Sequence, residues 1–179
     1  MQVPGSGNGG ECVRACVLAG GRSSRMGQDK AALLFSGKTL LEVVCGTARA
    51  WGAPLSVIRE DSVASCGPLG GVLTGFDRFE EERMLFLSCD MPFVSVDLMR
   101  SLNERDGTVF VGWKGRVGFP FIFSRKDLPI ARRRFSSSEY SLQGLARECF
   151  AETVFSEDPE WELFNINTPE ELEVARRMI

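Results

Sequence analysis

Residues 12–30 read CVRACVLAGGRSSRMGQDK, and the two halves of this stretch obey different rules. The first half is short, apolar and β-branched at Val13 and Val17, then stops at Ala19, Gly20 and Gly21. That pattern predicts a buried strand entering a tight loop. The loop then carries Arg22, Arg25 and Lys30. Adjacent glycines permit positive φ and let backbone N–H groups approach an anion, and three nearby cations supply the charge a triphosphate needs. A plain structural turn is the competing reading of Gly20-Gly21, and the cations weigh against it. Residues 12–30 contain neither the GxxxxGKS/T loop nor the GxGxxG fingerprint, so the stretch is not one of the two common phosphate-binding signatures.

Working outward, Thr39 is a plausible N-cap for a helix over residues 40–51, whose apolar Leu40, Leu41, Val44, Ala48 and Trp51 fall at helical spacing. LSVI at 55–58 reads as a second strand, and Gly67-Pro68-Leu69-Gly70-Gly71 punctuates the chain before a helical stretch at 72–79. A continuous apolar run, MLFLS at 84–88, predicts a strand that delivers Asp90 just past its C-terminal end. Helices are expected at 96–102 and 141–149, strands at 108–113, 119–123 and 152–155, and Thr168-Pro169-Glu170-Glu171 has the N-cap, proline and acids of a helix start. Alternation of this kind implies an α/β fold with a mostly parallel central sheet covered on both faces, and in such sheets ligands sit outside the carboxyl ends of the strands.

The 179 residues fit one domain, read as 11–179, behind a flexible Gly/Ser/Pro lead-in at 1–10. A net charge of -3 provides no field for a nucleic-acid backbone. Basic clusters at Arg14, Arg22, Arg25 and Lys30 and at Arg132, Arg133 and Arg134 suit a small polyanion, although the second also reads as a solvated helix face. Six cysteines without a Cys-x-x-Cys pair, in a chain with no histidine, read as buried thiols of a cytoplasmic protein and not as a zinc set. No membrane span or signal peptide is expected. Without histidine, chemistry must rest on carboxylates, lysine, arginine, backbone amides and a hard metal. Asp90 is the candidate magnesium ligand, with a structural cap as the competing reading. The GPLGG glycines suit close backbone contact with a flat base, and Asn165 and Asn167, on one side of an extended segment, suit a co-substrate. An ordinary loop and a capped turn are the bland alternatives for these two segments.

LAGGRSSRMGQDKA, GPLGG, CDMPF and NINTPEEL, in that order, closely resemble the molybdenum cofactor guanylyltransferase family, and together they span nearly the whole chain. The resemblance implies a three-layer Rossmann-like nucleotidyltransferase fold that joins GMP from GTP to molybdopterin with Mg2+ held by Asp90. It further implies nucleotide contacts from Leu18, Ala19, Gly20, Gly21, Lys30, Asp61, Gly67, Pro68, Leu69 and Asp90. Charge stabilisation would come from Arg22, Arg25 and Lys30, molybdopterin contacts from Asn165 and Asn167, and transient contact with molybdoenzyme maturation proteins would follow. One departure stands out: nine residues separate Val57 from Gly67, where the family usually carries a further helix, a short strand and a nucleotide-contacting asparagine. A cytidylyltransferase or sugar-phosphate enzyme of the same fold, and a non-catalytic nucleotide-binding maturation factor, are the alternatives.

Overall fold

The structure is a computed structural model that describes residues 12–20, 30–59 and 67–179. In chain order its strands are β1 (Val13–Leu18), β2 (Leu34–Phe35), β3 (Lys38–Thr39), β4 (Leu55–Ile58), β5 (Arg83–Ser88), β6 (Val109–Trp113), β7 (Arg116–Ser124) and β8 (Glu152–Phe155). The helices are α1 (Leu40–Trp51), α2 (Gly67–Arg78), α3 (Val96–Asn103), α4 (Leu128–Ser136), α5 (Leu142–Glu148), α6 (Pro159–Glu162) and α7 (Pro169–Arg177). β2 and β3 form a small hairpin, and the other six strands form one sheet in the order β4-β1-β5-β7-β6-β8. β1 pairs in parallel with β4 and β5, and β6 in parallel with β8, while β7 runs antiparallel to both β5 and β6. The sheet is therefore mostly parallel, with one reversed strand.

Strand side chains alternate between two faces, and each face has its own core. Val13, Ala15, Val17, Leu85, Leu87, Val109, Val111 and Ile122 pack with residues of α1 and α3. Cys16, Met84, Phe86, Phe110, Phe121 and Phe123 pack with residues of α2, α4 and α5 on the other. Phe86 and Phe110 stack on Phe121 with centroids 5.3 and 4.7 Å apart, a cross-strand ladder that binds the reversed strand to its neighbours. Burial on both faces explains why MLFLS is continuously apolar instead of alternating. No helix among the described residues is long and apolar enough to cross a membrane.

Local signals placed most elements. Thr39 is the expected N-cap of α1 and forms a capping box with Glu42, Gly52 closes that helix in the left-handed conformation, and Thr168 and Glu171 form a second capping box at α7. Three differences are physical. First, α2 begins at Gly67, so GPLGG is its first turn and not a loop before it. Gly71 and Gly75 are kept by close packing: a Cβ on Gly71 would lie 2.6 Å from Leu18 Cδ1, and one on Gly75 would lie 3.2 Å from the Phe86 ring. Second, β6 and β7 form a hairpin through Lys114 and Gly115, both at positive φ, as a tight two-residue turn requires. Third, α4 carries Arg132, Arg133 and Arg134, but they form no anion site. Arg132 pairs with Asp77, Arg133 with Glu148, and Arg134, 7% exposed, with Glu139 and Glu148. The cysteines are also less uniform than expected: Cys16, Cys45 and Cys89 are buried, Cys149 is half-buried and Cys12 is exposed, while Cys66 and the lead-in lie outside the described residues.

Candidate active site

Three parallel strands end level at one edge of the sheet. Leu18 is paired with Ile58 on one side and Ser88 on the other. The ladder continues one step: Ala19 N–H donates to Ile58 O at 2.8 Å, and Cys89 N–H donates to Leu18 O at 3.1 Å. Gly20 then emerges against the end of β4, where a Cβ would lie 2.5 Å from the carbonyl oxygen of Arg59. Glycine is required there by backbone crowding, and its exposed side faces outward. The Ala19 amide is committed to the sheet.

Asp90 sits in the turn after β5, where the Ser88 hydroxyl donates to its Oδ1 at 2.5 Å. Lys30 opens a 3-10 turn, Lys30–Ala32. Its Nζ lies 3.4 Å from Asp90 Oδ2 and donates to Asn167 Oδ1 at 2.7 Å. The third segment is fixed from beneath, because Ile166 N–H donates to Asp90 O at 2.9 Å and Asn167 N–H donates to Glu171 Oε2 at 2.6 Å. Residues 60 and 137 positions distant from Lys30 thus meet it at one point. The Lys30 and Asp90 side chains are 22% and 16% exposed, shielded yet open to a ligand. The lysine is held more tightly by the amide than by the carboxylate, which leaves Asp90 oxygen lone pairs for another cation.

Asp90 is the acid in this cluster that could hold a hard divalent ion. Among the described residues, no three His, Cys, Asp or Glu side chains group to hold a metal. An ion here would draw its other ligands from phosphate oxygens and water, the usual arrangement for magnesium. A single partly shielded carboxylate at a strand end suits that arrangement.

Of the other residues singled out in the sequence, Leu18 closes β1 beneath Gly71, and Gly67 and Pro68 open α2 beside this edge. Gly67 is exposed and Pro68 half-buried, while Leu69 is turned into the core at 1% exposure. Gly21, Arg22, Arg25 and Asp61 lie outside the described residues. Arg14 does not join Lys30. It lies toward the opposite end of β1, donates to Glu81 Oε1 at 2.7 Å and covers the Phe79 ring. That pairing holds the Glu81 carboxyl below the usual carboxylate range and the Arg14 guanidinium above its own ordinary value.

Beside Asp90 lies a cavity of about 390 Å³ that sequence reasoning missed, lined by Met91, Trp113, Arg116, Phe119, Leu163 and Asn165 among others. Its origin is a break in strand pairing. β7 pairs with β5 only as far as Phe121↔Phe86, and its register against β6 shifts between Phe110 and Val111, so the start of β7 parts from the sheet beyond β5. Ser88 was missed too, although its spacing from Asp90 at the strand end was a visible signal.

A family model described as the MobA-like NTP transferase domain matches residues 15–153. The chain is 29% identical over 181 residues to a probable molybdenum cofactor guanylyltransferase of Flavobacterium johnsoniae, covering 90% of this chain and 95% of that one. Its fold matches the molybdopterin-guanine dinucleotide biosynthesis protein A of Archaeoglobus fulgidus with a TM-score of 0.70 at 17% identity, over 92% of this chain and 97% of the other. It also matches a Mycobacterium tuberculosis protein in complex with manganese, with a TM-score of 0.61 at 15% identity, over 94% and 100% of the two chains. The two structural likenesses speak for the fold alone.

Proposed function

This chain belongs to the MobA-like NTP transferase domain family, and on that premise we propose that it transfers GMP from GTP to molybdopterin, forming the molybdopterin guanine dinucleotide and releasing pyrophosphate. The observation that carries the reading is the meeting of Lys30, Asp90 and Asn167 at the C-terminal edge of the sheet, next to the crowded glycine that opens the cationic loop.

The chemistry needs little beyond placement. An oxygen of the molybdopterin phosphate attacks the α-phosphorus of GTP, a new P–O bond forms, and the bond to the bridging oxygen breaks as pyrophosphate leaves with the electron pair. Gly20 and Gly21 let the backbone approach the triphosphate, and Arg22, Arg25 and Lys30 offset the charge that gathers on it. Leu18, Ala19 and Leu69 form the floor, with Leu18 packed on Gly71 and the Ala19 amide engaged in the sheet. Asp61, Gly67 and Pro68 contact the guanine nucleotide. Asp90 would hold Mg2+, and the ion would offset phosphate charge there. Asn165 faces molybdopterin, and Asn167 does so while fixing the Lys30 ammonium. Rate enhancement then comes from positioning and preorganised charge, as in other phosphoryl-type transfers. The enzyme acts in the cytoplasm and meets the maturation proteins of molybdoenzymes transiently.

The test is pyrophosphate release from purified protein, magnesium and molybdopterin with each of GTP and CTP. GTP is consumed, and Asp90→Asn and Lys30→Ala each lower turnover on the order of 10²- to 10³-fold, the usual cost of losing a charge-stabilising group. Consumption of CTP with GTP untouched overturns guanylyl transfer, and equal rates in wild type and Asp90→Asn overturn the assignment of Asp90.

A further inference from the structure

The cavity beside Asp90 is not explained by nucleotide binding. Strand order separates it from the cationic loop: β1 and β4 carry Gly20 and Arg59, β5 carries Asp90 in the middle, and β7 and β6 carry the cavity on the other side. β6 runs parallel to β5 in this sheet, so Trp113 at its C-terminal end rises at the same edge as Asp90. An in-line displacement needs the attacking oxygen and the leaving pyrophosphate on opposite sides of the α-phosphorus. With the triphosphate over β1 and its α-phosphorus near Asp90, the attacking group enters from the β7/β6 side.

The lining matches a flat, polar, anionic molecule. Trp113 and Phe119 offer aromatic surface, Met91 and Leu163 offer apolar contact, Asn165 offers an exposed carboxamide, and Lys114 and Arg116 stand exposed in and just after the hairpin turn. The Lys114 ammonium already lies over the Trp113 ring, 4.1 Å from its centroid, so one face of the indole carries a positive charge. Two lining residues adjoin the reactive cluster: Met91 follows Asp90, and Asn165 precedes Ile166, whose N–H donates to the Asp90 carbonyl. A ligand seated here therefore reaches the Lys30–Asp90 pair without crossing the nucleotide side.

Building on the guanylyl-transfer reading, we infer that this cavity seats the fused heteroaromatic ring system of the acceptor, with Trp113 stacking on it and Arg116 selecting for its polar, anionic edge. The hairpin Trp113-Lys114-Gly115-Arg116 is then the acceptor-specificity element, separate from the nucleotide loop.

Two arms test this. In steady-state assays Trp113→Ala raises KM for molybdopterin roughly 5- to 100-fold, the range that loss of one stacking face produces, and leaves KM for GTP within twofold. Arg116→Ala raises the same constant and not the other. In a binding arm without GTP, molybdopterin quenches tryptophan fluorescence of the wild type, and Trp113→Phe abolishes that quenching while Trp51 and Trp161 remain. An unchanged molybdopterin KM in Trp113→Ala, or a rise confined to GTP, overturns the inference even when guanylyl transfer itself is intact. Should the wild type make no dinucleotide, the functional reading falls, and the fluorescence arm alone decides: quenching lost in Trp113→Phe sustains the pocket, and its absence in the wild type overturns it.

Discussion

Replacing Gly20 with alanine adds one methyl group, and the structure specifies what that methyl meets. Its carbon would lie 2.5 Å from the carbonyl oxygen of Arg59 and 3.2 Å from the carbonyl carbon. Ordinary contact begins near 3.4 Å, so one backbone must retreat by about 0.9 Å. Neither is free to do so, because the preceding residue, Ala19, donates to Ile58 O at 2.8 Å and locks the two strand ends together. Overpacking of this kind costs about 1–3 kcal/mol, which for a chain of this length lowers Tm by about 3–9 °C. The displacement also moves Gly20, proposed above to approach the triphosphate, by nearly the distance at which misplacement costs on the order of 10²-fold in rate. Gly46 is the control. It is exposed, lies inside α1, and a Cβ there meets nothing within 4 Å. The same substitution at Gly46 relieves the entropy cost of a helical glycine and stabilises by about 0.5–1 kcal/mol. Differential scanning fluorimetry and pyrophosphate release measure both outcomes. Gly20→Ala with wild-type Tm and turnover would refute the crowding argument, as would two alanine variants that shift Tm in the same direction.

Asn167→Ala removes the amide oxygen that accepts from the Lys30 ammonium at 2.7 Å and lowers kcat roughly 10- to 100-fold in the pyrophosphate assay, the worth of one hydrogen bond to a charged group. Glu171→Ala removes both the capping box of α7 and the acceptor for Asn167 N–H, costing about 1 kcal/mol in chemical denaturation and lowering turnover in the same direction as Asn167→Ala. Glu81→Gln lowers stability by about 1 kcal/mol at neutral pH, because the hydrogen bond from Arg14 depresses the Glu81 carboxyl. A depressed carboxyl contributes its stability above the unfolded value of about 4.3 and loses it as pH falls through the folded value, so the deficit measured by urea titration closes in acid. Burial pushes the Cys16 and Cys149 thiols up to about 12, so mass spectrometry after maleimide treatment at pH 8 finds exposed Cys12 modified ahead of both.

Much of this site was legible because its signals are local. The glycine stop after Val17-Leu18, the acid after MLFLS and the capping sequences at Thr39 and Thr168 each act within a few residues, and the structure has the strand ends and helix starts they specify. What was hidden depends on partners far along the chain. GPLGG reads as a loop, since nothing nearby reveals that Leu18 presses against Gly71. Arg14 reads as one of four cations in a basic cluster, since its partner Glu81 is 67 positions away. The cavity is the clearest case, arising where β7 leaves β5 after Phe121 and shifts register against β6, neither of which has a compositional mark.

The absence of histidine, which leaves the chemistry to carboxylates, lysine, arginine, backbone amides and a hard metal, fits this arrangement because of the nucleophile. A phosphate monoester loses its second proton at about pH 6, so an acceptor phosphate arrives already ionised and needs no general base. The obstacle is repulsion between that dianion and a triphosphate, and cations answer it only where they are held in place. Lysine has four rotatable bonds and is otherwise poorly placed for the task. Here its ammonium is gripped by Asn167, Asn167 by Glu171, and Glu171 by the cap of α7, while Ile166 ties the same segment to the Asp90 carbonyl. Each link removes freedom from the next, so a helix start near the C-terminal end of the chain sets the position of a charge at the end of the first loop.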